Sequence, residues 1–180
     1  MSANVHGPMI RKGDDLPYII HPIAVTALLF EWGADEDTCI AGLLHDVLED
    51  VPEEEKEQYR EKIKERFGQS VLRIVEGVTE QDKSLTWKER KKHYLEHLKD
   101  ASEQSLLISC ADLTHNVAAL TEAYRADGEK VWERFNAGKE DKLWFIQERT
   151  RILGEKLDPQ YSEELNHHLD TLSHLFPSDS

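Results

Sequence analysis

The segment Leu43-Leu44-His45-Asp46-Val47-Leu48-Glu49-Asp50 constrains this chain more than any other. It sets a histidine and three acids into a run that is otherwise apolar. On an α-helix, Glu49 lies one turn beyond His45 and Asp50 one turn beyond Asp46, so the two pairs occupy neighbouring faces. Ile40, Leu43, Leu44, Val47 and Leu48 predict that this helix is largely buried. Burying carboxylates is costly unless a cation compensates them. A divalent metal is the simplest compensation.

Two further segments supply matching donors. In Tyr18-Ile19-Ile20-His21-Pro22 a histidine precedes a proline that can sit in the first turn of a helix. In Ile108-Ser109-Cys110-Ala111-Asp112 an aspartate ends an apolar run. His21, His45, Asp46 and Asp112 together form a set of two imidazoles and two carboxylates. Such a set suits Mn²⁺, Fe²⁺ or Zn²⁺ and lacks the thiolates of a structural zinc site. Each residue also has a plainer reading. His21 can be a packed or capping residue, Asp112 a buried acid taking backbone hydrogen bonds, and Glu49-Asp50 the polar end of a helix.

Helical periodicity runs through almost the whole chain, and alternating β patterns are absent. Helices are expected over Pro22–Trp32, from an Asp35 cap through Asp50, and over Glu53–Phe67 with a stop at Gly68. Val71, Ile74, Val75 and Val78 keep helical spacing. Thr86 and Glu89 form a potential capping box for a helix to about Asp100, and Ser102 opens another. Val131–Phe135, Lys139–Gly154 and Tyr161–Phe176 complete the set. At 180 residues the chain suits one domain and one core. The expectation is therefore an all-α helical bundle over residues 1–180, with 154–180 as a C-terminal helical tail.

The formal net charge is −14, which argues against nucleic-acid and anionic-membrane partners. No stretch approaches the roughly 20 apolar residues of a membrane span, and Met1–Met9 lacks the pattern of a secretory leader. Cys39 and Cys110 lie in apolar helical runs, as reduced core residues of a cytoplasmic protein do. A phosphate-rich substrate would need a local basic patch against this charge. Lys88, Arg90, Lys91 and Lys92 offer one, unless they are a solvated helix face.

The order His-Pro, then His-Asp with Glu-Asp, then Ala-Asp-x-x-x-Asn resembles the HD-domain superfamily. It is most similar to the hydrolase domains of RelA/SpoT proteins and to the small alarmone hydrolases. Pro17–Pro22, Ala41–Asp50, Phe67-Gly68 with Val75–Thr79, and Ala111–Asn116 share the family's order, and the resemblance runs from about Arg11 to Leu153. It implies an HD-type helical bundle with a metal site in its core, and one divalent metal, Mn²⁺ first, held by His21, His45, Asp46 and Asp112. Glu49 and Asp50 would handle the attacking water and the leaving-group proton. Arg11 would lie against the base, Lys12 and Lys91 near phosphate, and Asn116 at the nucleoside. Lys139, Lys142 and Trp144 fall near substrate-facing positions.

The implied reaction removes the 3′-pyrophosphate of guanosine tetra- or pentaphosphate. Two alternatives share the ligand set. One is a phosphohydrolase acting on a nicotinamide dinucleotide phosphate or a nucleoside phosphate. The other is a metal-bound nucleotide sensor without turnover, which the acids Glu49 and Asp50 disfavour. The chain departs from the family before Arg11, where only ten residues stand and Gly7-Pro8 interrupts a helix. Part of the pocket wall would then be missing or would come from a second copy, so a homo-oligomer is a possible partner state. No synthetase domain is recognisable, so the chain is not expected to make the alarmone.

Overall fold

The computed structural model describes residues 1–10, 16–80 and 84–176. Among these residues no β-strand occurs, and a single antiparallel bridge joins Ile10 to Pro17. Helices follow one another in the order α1 (Ser2–His6), α2 (Ile20–Glu31), α3 (Glu36–Leu44), α4 (Val47–Asp50), α5 (Lys56–Glu76), α6 (Trp87–Lys99), α7 (Glu103–Asp127), α8 (Lys139–Lys156) and α9 (Glu163–Leu175). Short 3₁₀ turns at Glu53–Glu55, Gly128–Arg134 and Pro159–Ser162 link them.

The caps are those the sequence predicts. Asp35 accepts from the Thr38 N–H at 2.8 Å, and Ser102 from the Ser105 N–H at 3.2 Å. Thr86 and Glu89 form the full reciprocal box at the start of α6. Gly7-Pro8 ends α1 after five residues, also as predicted.

α7 is the central strut. Side chains from Ser105 to Ala111 are buried without interruption, so the helix is covered all round, as a helix through the middle of a bundle must be. It packs against α2, α3, α8 and α9. The expected C-terminal tail belongs to this core. Leu165 and Leu172 of α9 are 0% and 2% exposed, and burying each contributes about 1.5–3 kcal/mol. Among the described residues no helix is long and apolar enough to cross a membrane.

Three expectations need correction. The helix entering at Asp35 does not run unbroken to Asp50; it breaks at His45-Asp46, and α4 restarts at Val47. Leu43 is not buried but 36% exposed. Gly68 does not end its helix for good. It adopts φ 95° and ψ 166°, and α5 resumes at once in a new direction. That turn lets Ile63 before the kink and Val71, Ile74 and Val75 after it enter the same core.

The Gly68 conformation is essentially restricted to glycine, and an added Cβ would meet no atom within 4 Å. Backbone strain is therefore the whole cost of a side chain there. Gly68→Ala is expected to lower the unfolding free energy by about 1–3 kcal/mol, read from urea denaturation. An unchanged midpoint would contradict the strained assignment.

Candidate active site

Three parts of the bundle deliver donors to one point. His21 is the second residue of α2, followed by Pro22 in the first turn. His45 and Asp46 form the break between α3 and α4, and Asp112 lies on α7. The break has a local cause. His45 Nδ1 donates to the Gly42 carbonyl at 2.7 Å, the acceptor that a continuing helix would give to the Asp46 N–H. α3 also approaches α2 closely at Gly42, where a Cβ would come 2.4 Å from Leu29 Cδ1.

His21 Nε2 lies 2.9 Å from Asp112 Oδ1 and 3.5 Å from Asp46 Oδ2. His45 Nε2 lies 3.2 Å from Asp46 Oδ1 and 3.8 Å from Asp112 Oδ1. One donor atom from each of His21, His45 and Asp46 falls within 4.8 Å of the others. His45 Nε2 is buried and has no hydrogen-bond partner among the described residues. Because Nδ1 carries the proton given to Gly42, an uncharged ring would turn its Nε2 lone pair toward two carboxylates. A cation resolves that repulsion. A proton can serve: burial opposes charging His45, yet Asp46 and Asp112 hold its pKa well above the usual imidazole value. A divalent metal of nitrogen and oxygen preference can replace that proton, and the donor set fits one.

The surrounding groups aim these donors. Tyr18 Oη donates to Asp46 Oδ2 at 2.7 Å. Burial, with Asp46 and Asp50 nearby, drives the Tyr18 pKa up and keeps the phenol a donor. Burial would raise the Asp46 and Asp112 carboxyls, but their cationic neighbours hold both below the usual carboxylate range. For Asp112 the strongest of these is Arg149, 2.8 Å from Oδ2 and also bonded to the Ser109 carbonyl at 2.6 Å. Asn116 Nδ2 donates to Asp112 Oδ1 at 2.6 Å. His21 and His115 face each other through their Nδ1 atoms at 2.9 Å. If His21 Nε2 is to bind a metal, its Nδ1 must donate and His115 must accept.

Glu49 and Asp50 occupy α4 beside this cluster. The Glu80 backbone N–H donates to Glu49 Oε1 at 2.7 Å. Burial, then the nearby Asp46 and Glu80 carboxylates, push the Glu49 pKa up to about 8, against the opposing pull of the Glu80 N–H and Lys91. The Glu80 side chain is buried and pairs with Arg90 at 2.9 Å and with Lys91. Lys91 also lies over the Phe145 ring, 4.7 Å from its centroid. The basic run thus divides: Lys88 pairs with Asp141 at 2.7 Å, Lys92 faces solvent, and Lys91 turns inward.

A cavity of about 550 Å³ opens over the cluster. His21, His45, Asp46, Asp112, Glu49, Asp50, Lys91 and Asn116 all line it, joined by Lys142 and Arg149. Arg11 and Lys12 lie outside the described residues. Lys139 pairs with Glu129 at 2.7 Å, and neither it nor Trp144 lines the cavity. Sequence reasoning missed roles for His6, Tyr18, Glu80, His115 and Arg149. A signal existed for Arg149, a charge in register with Phe145, Ile146, Ile152 and Leu153 on the buried face of α8. Glu80 and His6 carry none.

The HD domain family model matches residues 1–141. The bifunctional (p)ppGpp synthase/hydrolase SpoT of Escherichia coli K12 is 39% identical over 126 residues, which are 67% of this chain and 17% of that protein. The chain thus spans under a fifth of that relative's length. A guanosine-3′,5′-bis(diphosphate) 3′-pyrophosphohydrolase of Xenopus tropicalis is 38% identical over 122 residues, 66% of this chain and 65% of the relative. Among solved structures, a metazoan orthologue of SpoT that hydrolyses ppGpp superposes with a TM-score of 0.74 at 26% identity, covering 97% of this chain and 92% of that one.

The raised Glu49 pKa implies a pH dependence of stability. Between its ordinary value of 4.5 and about 8, the folded protein holds a proton that the unfolded chain releases. Stability from this group is therefore full below about pH 4.5 and declines as pH rises toward 8. Gln mimics the neutral acid at every pH. In chelator-treated protein, Glu49→Gln should gain on the parent in thermal midpoint from pH 5 to pH 8. A midpoint difference that stays constant over that range would refute the raised pKa.

Proposed function

The chain belongs to the HD domain family, and on that footing we propose that it is a divalent-metal-dependent pyrophosphohydrolase. Its proposed substrate is guanosine tetra- or pentaphosphate, from which it removes the 3′-pyrophosphate to give GDP or GTP and pyrophosphate. The observation that carries this reading is the meeting, at the floor of one cavity, of the His21, His45, Asp46 and Asp112 donors with two further acids and inward-facing cations. The named activities of the SpoT and 3′-pyrophosphohydrolase relatives support this substrate class.

In this reading His21, His45, Asp46 and Asp112 hold one metal, Mn²⁺ by preference. A metal held there would supply acidification of water and withdrawal of charge from a phosphate oxygen. Glu49 and Asp50 sit where carboxylates can accept the proton of the attacking water and return one to the leaving oxygen. A Glu49 group poised near neutrality suits both directions of transfer. Hydrolysis breaks one P–O bond at the ribose 3′ oxygen, and water supplies the oxygen that pyrophosphate gains. Lys91, Lys142 and Arg149 bring positive charge to the cavity of a chain whose net charge is −14. They oppose the repulsion that the whole molecule would exert on a polyphosphate. Asn116 and Arg11 are assigned to the nucleoside, and Lys12 with Lys91 to phosphate. We assign residues 1–180 to one hydrolase unit. A reducing, cytoplasmic setting suits its two free thiols, of which Cys110 is pushed by burial up to about 11.

The test is release of pyrophosphate or phosphate, with Mn²⁺ added, from a panel of guanosine tetraphosphate, a nicotinamide dinucleotide phosphate and simple nucleoside phosphates. Release from the tetraphosphate, abolished in Glu49→Gln/Asp50→Asn with nucleotide binding retained, is the expected result. Turnover confined to another member of the panel would overturn the substrate assignment, and binding without any turnover would identify a sensor.

Lys91 gives an independent check. Lys91→Ala should raise KM for the tetraphosphate while leaving metal content unchanged. It should also leave the buried Glu80 with Arg90 alone and lower the thermal midpoint. An unaltered KM would remove Lys91 from the substrate site.

A further inference from the structure

His6 is completely buried, although it stands at the end of a five-residue helix near the start of the chain. Its ring is held on three sides. Nδ1 lies 3.0 Å from Ser2 Oγ, the Tyr18 ring packs with its centroid 5.0 Å away, and Nε2 faces Asp50 Oδ2 at 3.3 Å. Both Nε2 and Oδ2 are shut off from solvent, and neither has a hydrogen-bond partner among the described residues; their mutual approach is an ion-pair contact. Two buried polar atoms facing each other are costly unless they serve one another. The Asp50 side chain is nevertheless 30% exposed and lines the cavity. One of its oxygens is thus sealed against His6 while the rest of the carboxylate remains in the cavity.

We propose that His6 is a positioning residue for Asp50. Its Nε2–H holds Oδ2 and leaves Oδ1 as the oxygen that works in the cavity, while the Ser2 hydroxyl donates to Nδ1 and fixes that tautomer. α1 then does more than close the bundle against α4: it orients an acid of the active site. This assignment rests on the proposed catalytic role of Asp50.

A purely structural His6 and a positioning His6 differ in what they demand of a substitute. The Gln amide nitrogen reaches the place of Nε2, whereas the Asn amide nitrogen reaches only the place of Nδ1. His6→Gln and His6→Asn should both bind metal at the parent's stoichiometry and keep its KM for guanosine tetraphosphate. His6→Asn should lose roughly tenfold to a hundredfold in kcat, and His6→Gln should recover most of it. Placed on Asp50→Asn, neither should lower kcat further. Nitrogen NMR shifts of the parent should show His6 protonated at Nε2. Equal kcat in the Gln and Asn variants, a loss of the same size on Asp50→Asn, or a ring protonated only at Nδ1 would each overturn the proposal. Full activity of Asp50→Asn alone would instead overturn the catalytic reading of Asp50.

Discussion

Two imidazoles and two carboxylates meet in the interior of this bundle, and the surrounding structure is arranged to balance their charge. Asp46 and Asp112 are largely removed from water, where an unpaired carboxylate would cost several kcal/mol. Compensation comes from three directions. Asp46 and Asp112 favour the charged form of His45, Arg149 presses its guanidinium on Asp112, and Tyr18 donates to Asp46. Local geometry follows from this balance. The helix break at His45 spends the Gly42 carbonyl on the imidazole, which fixes the proton at Nδ1 and turns Nε2 inward. A divalent metal replacing the His45 proton would meet donors already aimed, with little reorganisation of the backbone.

How far such a site can be read in a sequence depends on how local its causes are. Caps at Asp35, Thr86 and Ser102 act over three residues, and all three stand where the sequence places them. The proposed ligands lie in short segments whose residue types are expensive to bury, and that expense marks His45, Asp46 and Asp112 as candidates before any fold is known. The break at His45-Asp46 escapes, because helical periodicity continues through it and only a side-chain hydrogen bond interrupts the ladder. Gly68 escapes in the opposite sense: its left-handed φ reads as a stop, but tertiary packing of Val71 and Ile74 restarts the helix immediately. Glu80 and His6 meet Glu49 and Asp50 across sequence separations of 31 (80−49) and 44 (50−6). No periodicity encodes such contacts.

The same long-range contacts bear on how an acidic chain could accommodate the proposed polyphosphate. Glu80 joins two halves of the site: its backbone N–H holds Glu49, and its side chain holds Arg90 and Lys91. Lys91, proposed for phosphate, and Glu49, proposed for proton transfer, are thus tied to one residue. Lys91 is also flanked by the Phe145 ring, and Arg149 lies 5.4 Å from the Tyr94 ring centroid. Aromatic faces let both cations sit in a partly dry cavity without full hydration. An incoming phosphate can compete with Glu80 for Lys91. If it does, a Glu80 carboxylate left to Arg90 alone alters the field at Glu49, whose raised pKa owes part of its shift to Glu80. In the proposed reaction, substrate binding and the protonation of Glu49 would then be linked through the Glu80–Lys91 ion pair, by contacts that line one cavity.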